Sequence, residues 1–339
     1  MKAKVLLIYT GGTIGMINDP KTGALSAFDF RYLLDQIPEL NRMNADISVV
    51  SFDKPLDSSE ILPADWKKMA ETVISNYELY DGFVILHGSD TMAYSASALS
   101  FMLQGITKPV IFTGSQLPIG TIRTDGKENL ITAVEIAAAK NPDGSAVIQE
   151  VAIYFEYSLY RGNRTSKVSA NHFEAFKSPN YPELAVAGVQ ISYQNNQPRP
   201  ERELHFFTDL DNHVALLKIF PGINFELYKN LFNYPEVRGI VIETFGSGNG
   251  PSNSRLSHYL TDFIGKGGVV INITQCLSGS VEQGKYEASS IFKEAGVLGG
   301  ADLTAEAAVT KLMYAIARFD DSKQVSAFMQ KNICGEMSV

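Results

Sequence analysis

The chain has 339 residues, 45% of them apolar, 10% aromatic and 19% charged, and its 29 Lys and Arg against 37 Asp and Glu leave a net charge of −8. At this length two hydrophobic cores are expected rather than one, and the composition excludes a disordered or fibrous chain. The acidic balance without clustered Lys and Arg excludes a nucleic-acid surface, and apolar runs such as "GGVVINI" (267–273) fall far short of the roughly 20 residues of a membrane span. Small molecules are therefore the expected partners, with neither nucleic acid nor membrane.

The opening "MKAKVLLIYTGGT" reads as a first strand rather than a signal peptide, because its apolar part is short and no small-residue cleavage site follows. That places the protein in the cytoplasm. The two cysteines, Cys276 and Cys334, have no metal or redox spacing, which fits a reducing compartment. Near-continuous apolar runs, "KVLLIY", "ISVVSF", "GFVIL", "PVIFTG" and "VAIYF", alternate with helical patterns over 28–37, 63–75, 92–103 and 128–139. The alternation predicts a parallel sheet buried on both faces and covered by helices. Residues 192–212, "SYQNNQPRPERELHFFTDLDN", are polar with two prolines and read as a linker. A second series follows, with strands "VALLKIF", "GIVIETF" and "GGVVINI" and helices over 253–264, 288–295, 304–318 and 322–332. The fold expected is two α/β domains: a larger N-terminal domain, 1–191, with a mostly parallel sheet, and a smaller C-terminal parallel-sheet domain, 213–339.

In such sheets ligands bind beyond the carboxyl ends of the strands. "TGGTIG" (10–15) follows the first strand; its paired glycines permit a tight turn that presents Thr13, and the spacing matches neither dinucleotide nor P-loop fingerprints. "LDSSE" (56–60) reads either as a carboxylate cradle or as a plain turn. "HGSDT" (87–91) places Ser89 and Asp90 at a helix start, where Ser, Asp and Thr also serve as caps, with His87 structural beneath them. "TGSQLPIGTIRTDGKENL" (113–130) is a shaped loop with a turn at Asp125, and "LYRGNRTSK" (159–167) ends on Lys167. A lysine there is a surface group or, if buried, a base. Hydroxyls, one carboxylate and a lysine suit nucleophilic acyl transfer to water. Backbone donors stabilise the oxyanion in such reactions by roughly 3–4 kcal/mol each. These spacings do not reveal the acyl group.

With "TGGTIG", "HGSDTM", "GSQLP…DGKENL" and "RGNRTSK" in this order, the chain resembles the bacterial cytoplasmic type I L-asparaginases, from its first strand to "GGADLTAEAAVTKLMY". The resemblance implies hydrolysis of L-asparagine to L-aspartate and ammonia without metal or cofactor, in a homodimer or homotetramer. It makes Thr13 the nucleophile and Ser89, Asp90 and Lys167 a second catalytic cluster. Asp90 would also meet the substrate's α-ammonium, and Asp57, Ser58 and Ser59 its amino-acid end, with Ser58 on the α-carboxylate. In relatives a glycine-rich loop from the neighbouring subunit closes the site; "FGSGNGPSN" (245–253) and its Asn249 correspond, unless the loop is an ordinary turn into a helix capped by Asn253. The resemblance leaves room for a broader glutaminase or for a non-catalytic amino-acid sensor.

Three departures stand out. Ser89 replaces the family's usual threonine and keeps the hydroxyl without the stiffening methyl. The stretch "MINDPKTGALSAFDF" (16–30) lacks the loop tyrosine that assists the nucleophile in relatives, although 14–28 has the look of a lid. Some relatives bind asparagine at a second, allosteric site around "TQC". Thr274, Gln275 and Cys276 preserve it, with Glu243, Thr244 and Phe245 alongside. Glu243 stands near a relative's arginine, where a bare carboxylate would repel the ligand's own, and Cys276 reads otherwise as a buried small hydrophobe.

Overall fold

The computed structural model describes residues 2–18, 25–27, 37–194, 203–284 and 290–338, in two compact units, Met1–Thr208 and Asp209–Val339. In the first unit an eight-stranded sheet has the spatial order Ile191–Tyr193, Ala185–Ala187, Ser158–Arg161, Val151–Phe155, Val110–Thr113, Gly82–Leu86, Ala3–Gly11, Ala45–Leu56. From Val151–Phe155 to Ala45–Leu56 every neighbouring pair is parallel. The parallel strands are apolar on both faces because helices cover both. Val5, Leu7 and Tyr9 pack with Leu130, Ala133 and Val134 of the helix Gly126–Ala138, and the alternate residues Leu6 and Ile8 are equally buried.

The other three strands are antiparallel, which apolar runs alone do not signal. Ser158–Arg161 returns along Val151–Phe155 through a two-residue turn at Glu156 and Tyr157, with φ of 42° and 70°. Such turns are announced in sequence by Asn-Gly or Asp-Gly. Glu-Tyr carries no such signal. Within the stretch 192–212, Ser192 and Tyr193 belong to the edge strand, and His205–Phe206 pairs with Leu103–Gln104. The helix predicted over 28–37 lies outside the described residues except at Ile37, and so do residues 19–24 and 28 of the predicted lid. Of that lid, Met16–Asn18 pairs antiparallel with Leu25–Ala27.

The second unit holds a four-stranded parallel sheet in the order Val214–Lys218, Gly239–Thr244, Val269–Thr274, Leu298–Gly299. One face packs Ile240, Ile242 and Val270 against Leu256, Leu260 and Phe263 of the helix Ser254–Gly265. The other sets Val241, Ile271 and Ile273 against Ala308, Leu312 and Ala315 of the helix Ala305–Arg318. Among the described residues no helix is long and apolar enough to cross a membrane.

Candidate active site

Four of the parallel strands end in the motifs singled out above, and their turns are pressed together. Gly12 has φ of 85°, and a Cβ there would stand 2.5 Å from Gly88 N; its own N–H donates to Leu56 O at 3.0 Å. A Cβ on Gly88 would in turn meet Ser58 Oγ at 2.5 Å. Glycine at both positions is what lets the Thr13 turn, the Asp57–Ser59 turn and the Ser89–Asp90 turn converge.

Within this convergence Lys167 is the hub. Its Nζ donates to Ser89 Oγ at 2.8 Å and to Asp90 Oδ1 at 2.6 Å, with 15% of the lysine side chain exposed against 66% for Asp90. Lys167 is therefore a largely enclosed group with two partners, and Asp90 keeps a face open to a ligand. Ser58 is buried, whereas Asp57 and Ser59 are exposed. The Ser59 backbone N–H and hydroxyl each donate to Asp57 Oδ1 at 2.9 Å, and these bonds hold the Asp57 carboxyl below its ordinary value.

The capping role read for "HGSDT" is overturned. The helix Met92–Met102 starts at Thr91 without a side-chain cap. Thr91 Oγ1 instead donates to Ser58 O at 2.6 Å, and Ser89 Oγ donates to Gln116 Oε1 at 3.2 Å. These side chains tie neighbouring turns together, which leaves the first-turn amides of the helix without them.

Gln116 is the site residue that sequence reasoning passed over. Its backbone N–H and that of Leu117 are held by the Asp125 carboxylate at 2.8–3.1 Å, and its Nε2 donates to His172 O at 3.0 Å. Burial pushes the Asp125 carboxyl up, against the pull of those amides. Its place just beyond Val110–Thr113, at a strand's carboxyl end, was the available signal.

His87 is buried and its imidazole is lowered by that burial to about 4. Below its unfolded value of 6.5 the unfolded chain takes up a proton that the native ring refuses, so stability falls with pH from about 6.5 down to about 4. The full loss is about 3 kcal/mol. Urea unfolding between pH 7 and pH 4.5 should show this slope in the wild type and lack it in His87→Asn; equal slopes would refute it.

The remaining candidates lie in the second unit. Asn249 N–H donates to Phe245 O at 2.8 Å, and Asn249 Oδ1 is buried without a hydrogen-bond partner among the described residues. Asn253 caps the helix Ser254–Gly265, accepting from the N–H groups of Arg255 and Leu256. Glu243 is not a bare charge, since Lys218 Nζ lies 3.5 Å from it. Thr244 is fully buried and its hydroxyl donates to Asn272 Oδ1 at 2.6 Å, while Thr274 Oγ1 accepts the Cys276 N–H at 3.0 Å. The Thr244 hydroxyl proton is thus committed within the unit. Cys276 is exposed, against the reading as a buried hydrophobe, because it falls beyond the end of Val269–Thr274.

Fold and cluster together define a two-unit α/β protein whose parallel-sheet ends gather hydroxyls, a carboxylate and a lysine. Family models describe it in the same two parts: "Asparaginase, N-terminal" matches residues 4–199 and "Glutaminase/Asparaginase C-terminal domain" residues 213–329. L-asparaginase 1 of Escherichia coli (strain K12) is 40% identical over 340 residues, covering 99% of this chain and 98% of the relative. The crystal structure of L-asparaginase I from Vibrio cholerae O1 superposes with a TM-score of 0.90 at 38% identity, covering 100% of both chains. The mouse 60 kDa lysophospholipase is 35% identical over 364 residues, spanning 99% of this chain but 63% of that protein. The chain belongs to the asparaginase family.

Proposed function

We propose that this protein hydrolyses L-asparagine to L-aspartate and ammonia through an acyl-enzyme on Thr13. The observation that carries this reading is Lys167 Nζ bound to both Ser89 Oγ and Asp90, in the unit whose glycine turn presents Thr13. Asp90 and the Asp57–Ser59 turn receive the ammonium and carboxylate of the amino acid, with Ser58 on the carboxylate. Thr13 Oγ adds to the side-chain carbonyl carbon, and its proton leaves on the amide nitrogen as ammonia departs. Water then adds to the ester, splits it and returns the proton to Thr13 Oγ. Ser89 Oγ, backed by Lys167, is the hydroxyl through which these protons pass.

The reading extends to a homodimer or homotetramer acting in the cytoplasm. The glycine-rich loop 245–253 with Asn249 is the segment that would close the site of a neighbouring subunit. Neither Cys276 nor Cys334 is in a disulfide, which fits a reducing compartment. The test is ammonia release from L-asparagine and, separately, L-glutamine over a range of concentrations. Release from asparagine with kcat/KM at least about tenfold above glutamine is expected. Equal rates would make the protein a broader amidohydrolase, and release from neither would remove the reading. A hyperbolic rate curve is expected, given that Thr244 is fully buried with its hydroxyl donating to Asn272.

A further inference from the structure

At the turn of Gly88 three buried side chains form an unbroken chain of hydrogen bonds. Trp66 Nε1 donates to Ser95 Oγ at 2.7 Å, Ser95 Oγ contacts His87 Nε2 at 2.9 Å, and His87 Nδ1 contacts Gly88 O at 2.6 Å. The directions follow from the two ends. An indole N–H only donates and a carbonyl only accepts. Ser95 therefore accepts from Trp66 and turns its own proton to Nε2, and the ring proton sits on Nδ1, facing Gly88 O. His87 is thus the neutral Nδ1–H tautomer, and burial keeps it neutral.

We infer that Trp66, Ser95 and His87 are positioning residues that orient the Gly88–Ser89 peptide for the reaction. Gly88 O belongs to the planar peptide unit that also contains Ser89 N and Cα, so holding the oxygen sets the direction in which Ser89 leaves the turn. Ser89 Oγ must meet Lys167 and Gln116 at 2.8 and 3.2 Å. Gly88 is also the point against which Gly12 and Ser58 pack, so the same anchor sets the Thr13 turn and the carboxylate end of the site. The backbone around it is fixed independently, His87 N–H donating to Thr113 O at 2.9 Å. What the imidazole adds is a hydrogen bond to the oxygen of the 88–89 peptide. Trp66 lies on the helix Pro63–Asn76 and Ser95 on Met92–Met102, so the anchor reaches back to two helices.

This inference rests on the asparaginase reading and is tested in the same assay. His87→Asn places a side-chain amide N–H near Nδ1 and so retains the bond to Gly88 O, whereas His87→Gln reaches Ser95 and loses it. Steady-state kinetics with L-asparagine should show kcat down about tenfold in H87Q, which loses the bond to Gly88 O, with KM within about threefold, and S95A and H87N, which keep that bond and lose the link to Trp66, within about threefold of wild type. Trp66 is the only tryptophan of the chain, so its unchanged emission in both His87 variants verifies native packing around it. A merely structural role would lower the melting temperature of all three variants and leave kcat alone, and that result overturns the inference. So does H87N as impaired as H87Q, or a loss carried by KM. If H87Q does not fold, W66F probes the other end. Freed of the indole N–H, Ser95 is less directed, and kcat should fall about threefold; unchanged kcat counts against the relay. A wild type that releases no ammonia fails differently, since it removes the asparaginase reading itself and the relay's consequence with it.

Discussion

Thr13→Ala is expected to lower kcat for asparagine by a factor on the order of 10⁴ or more, since the other hydroxyl of that motif, Thr10, is buried and donates to Leu86 O. Lys167→Met should cost nearly as much. The two belong to one proton path, and members of a unit are not additive, so the double variant should be no worse than Thr13→Ala alone. Binding of L-aspartate should survive Thr13→Ala, because Ser58 and Asp90 remain. Ammonia release for turnover and calorimetry for aspartate binding separate the two effects. Thr13→Ala that keeps more than about a hundredth of wild-type kcat would move the nucleophile elsewhere. Unchanged turnover in Lys167→Met would take the lysine out of the chemistry and leave its contacts to Ser89 and Asp90 as structure.

The second large effect is on stability. Lys311 and Glu336 are both fully buried and paired at 2.6 Å; the lysine also donates to Lys331 O at 2.6 Å and Met329 O at 3.0 Å. The glutamate accepts from the N–H groups of Ile333 and Cys334, so it holds the C-terminal segment onto the helix Ala305–Arg318. Glu336→Ala leaves a buried ammonium without its counter-charge and two amides without their acceptor. Removing one partner of such a pair costs about 3–5 kcal/mol. Glu336→Gln, which retains an acceptor for the amides, should fall between wild type and Glu336→Ala. Urea or guanidinium unfolding measures this directly, and a loss below about 1 kcal/mol for Glu336→Ala would mean that water reaches Lys311 once the carboxylate is gone.

The parallel core of both units was legible because strands buried on both faces read as unbroken apolar runs, and the helices between them kept a 3.6-residue period. Thr13, Ser89 and Lys167 were legible for a related reason, since each lies in a polar motif just after such a run. Gln116 sat in a quoted motif and still went unnoticed. Its place past a strand end is shared with its neighbours in the motif, and its role comes from Asp125 holding its backbone N–H and from Ser89 arriving from another strand. The relay under Gly88 was less visible again: Trp66 and Ser95 look like ordinary positions on two helices, and His87 like a structural residue beneath a turn.

By itself, then, the sequence determined the layered α/β architecture, the glycines that permit close turns and the identity of the reactive groups, because each depends on local pattern or residue chemistry. Only the tertiary structure decided that Ser89 and Thr91 reach sideways to Gln116 and Ser58 instead of capping their helix, that Glu243 is met by Lys218, and that Lys311 is buried against Glu336. Those outcomes depend on which distant side chain meets each group, and partners 25 to 33 residues apart in the chain are brought within 3.5 Å only by the packing of the sheets and their helices.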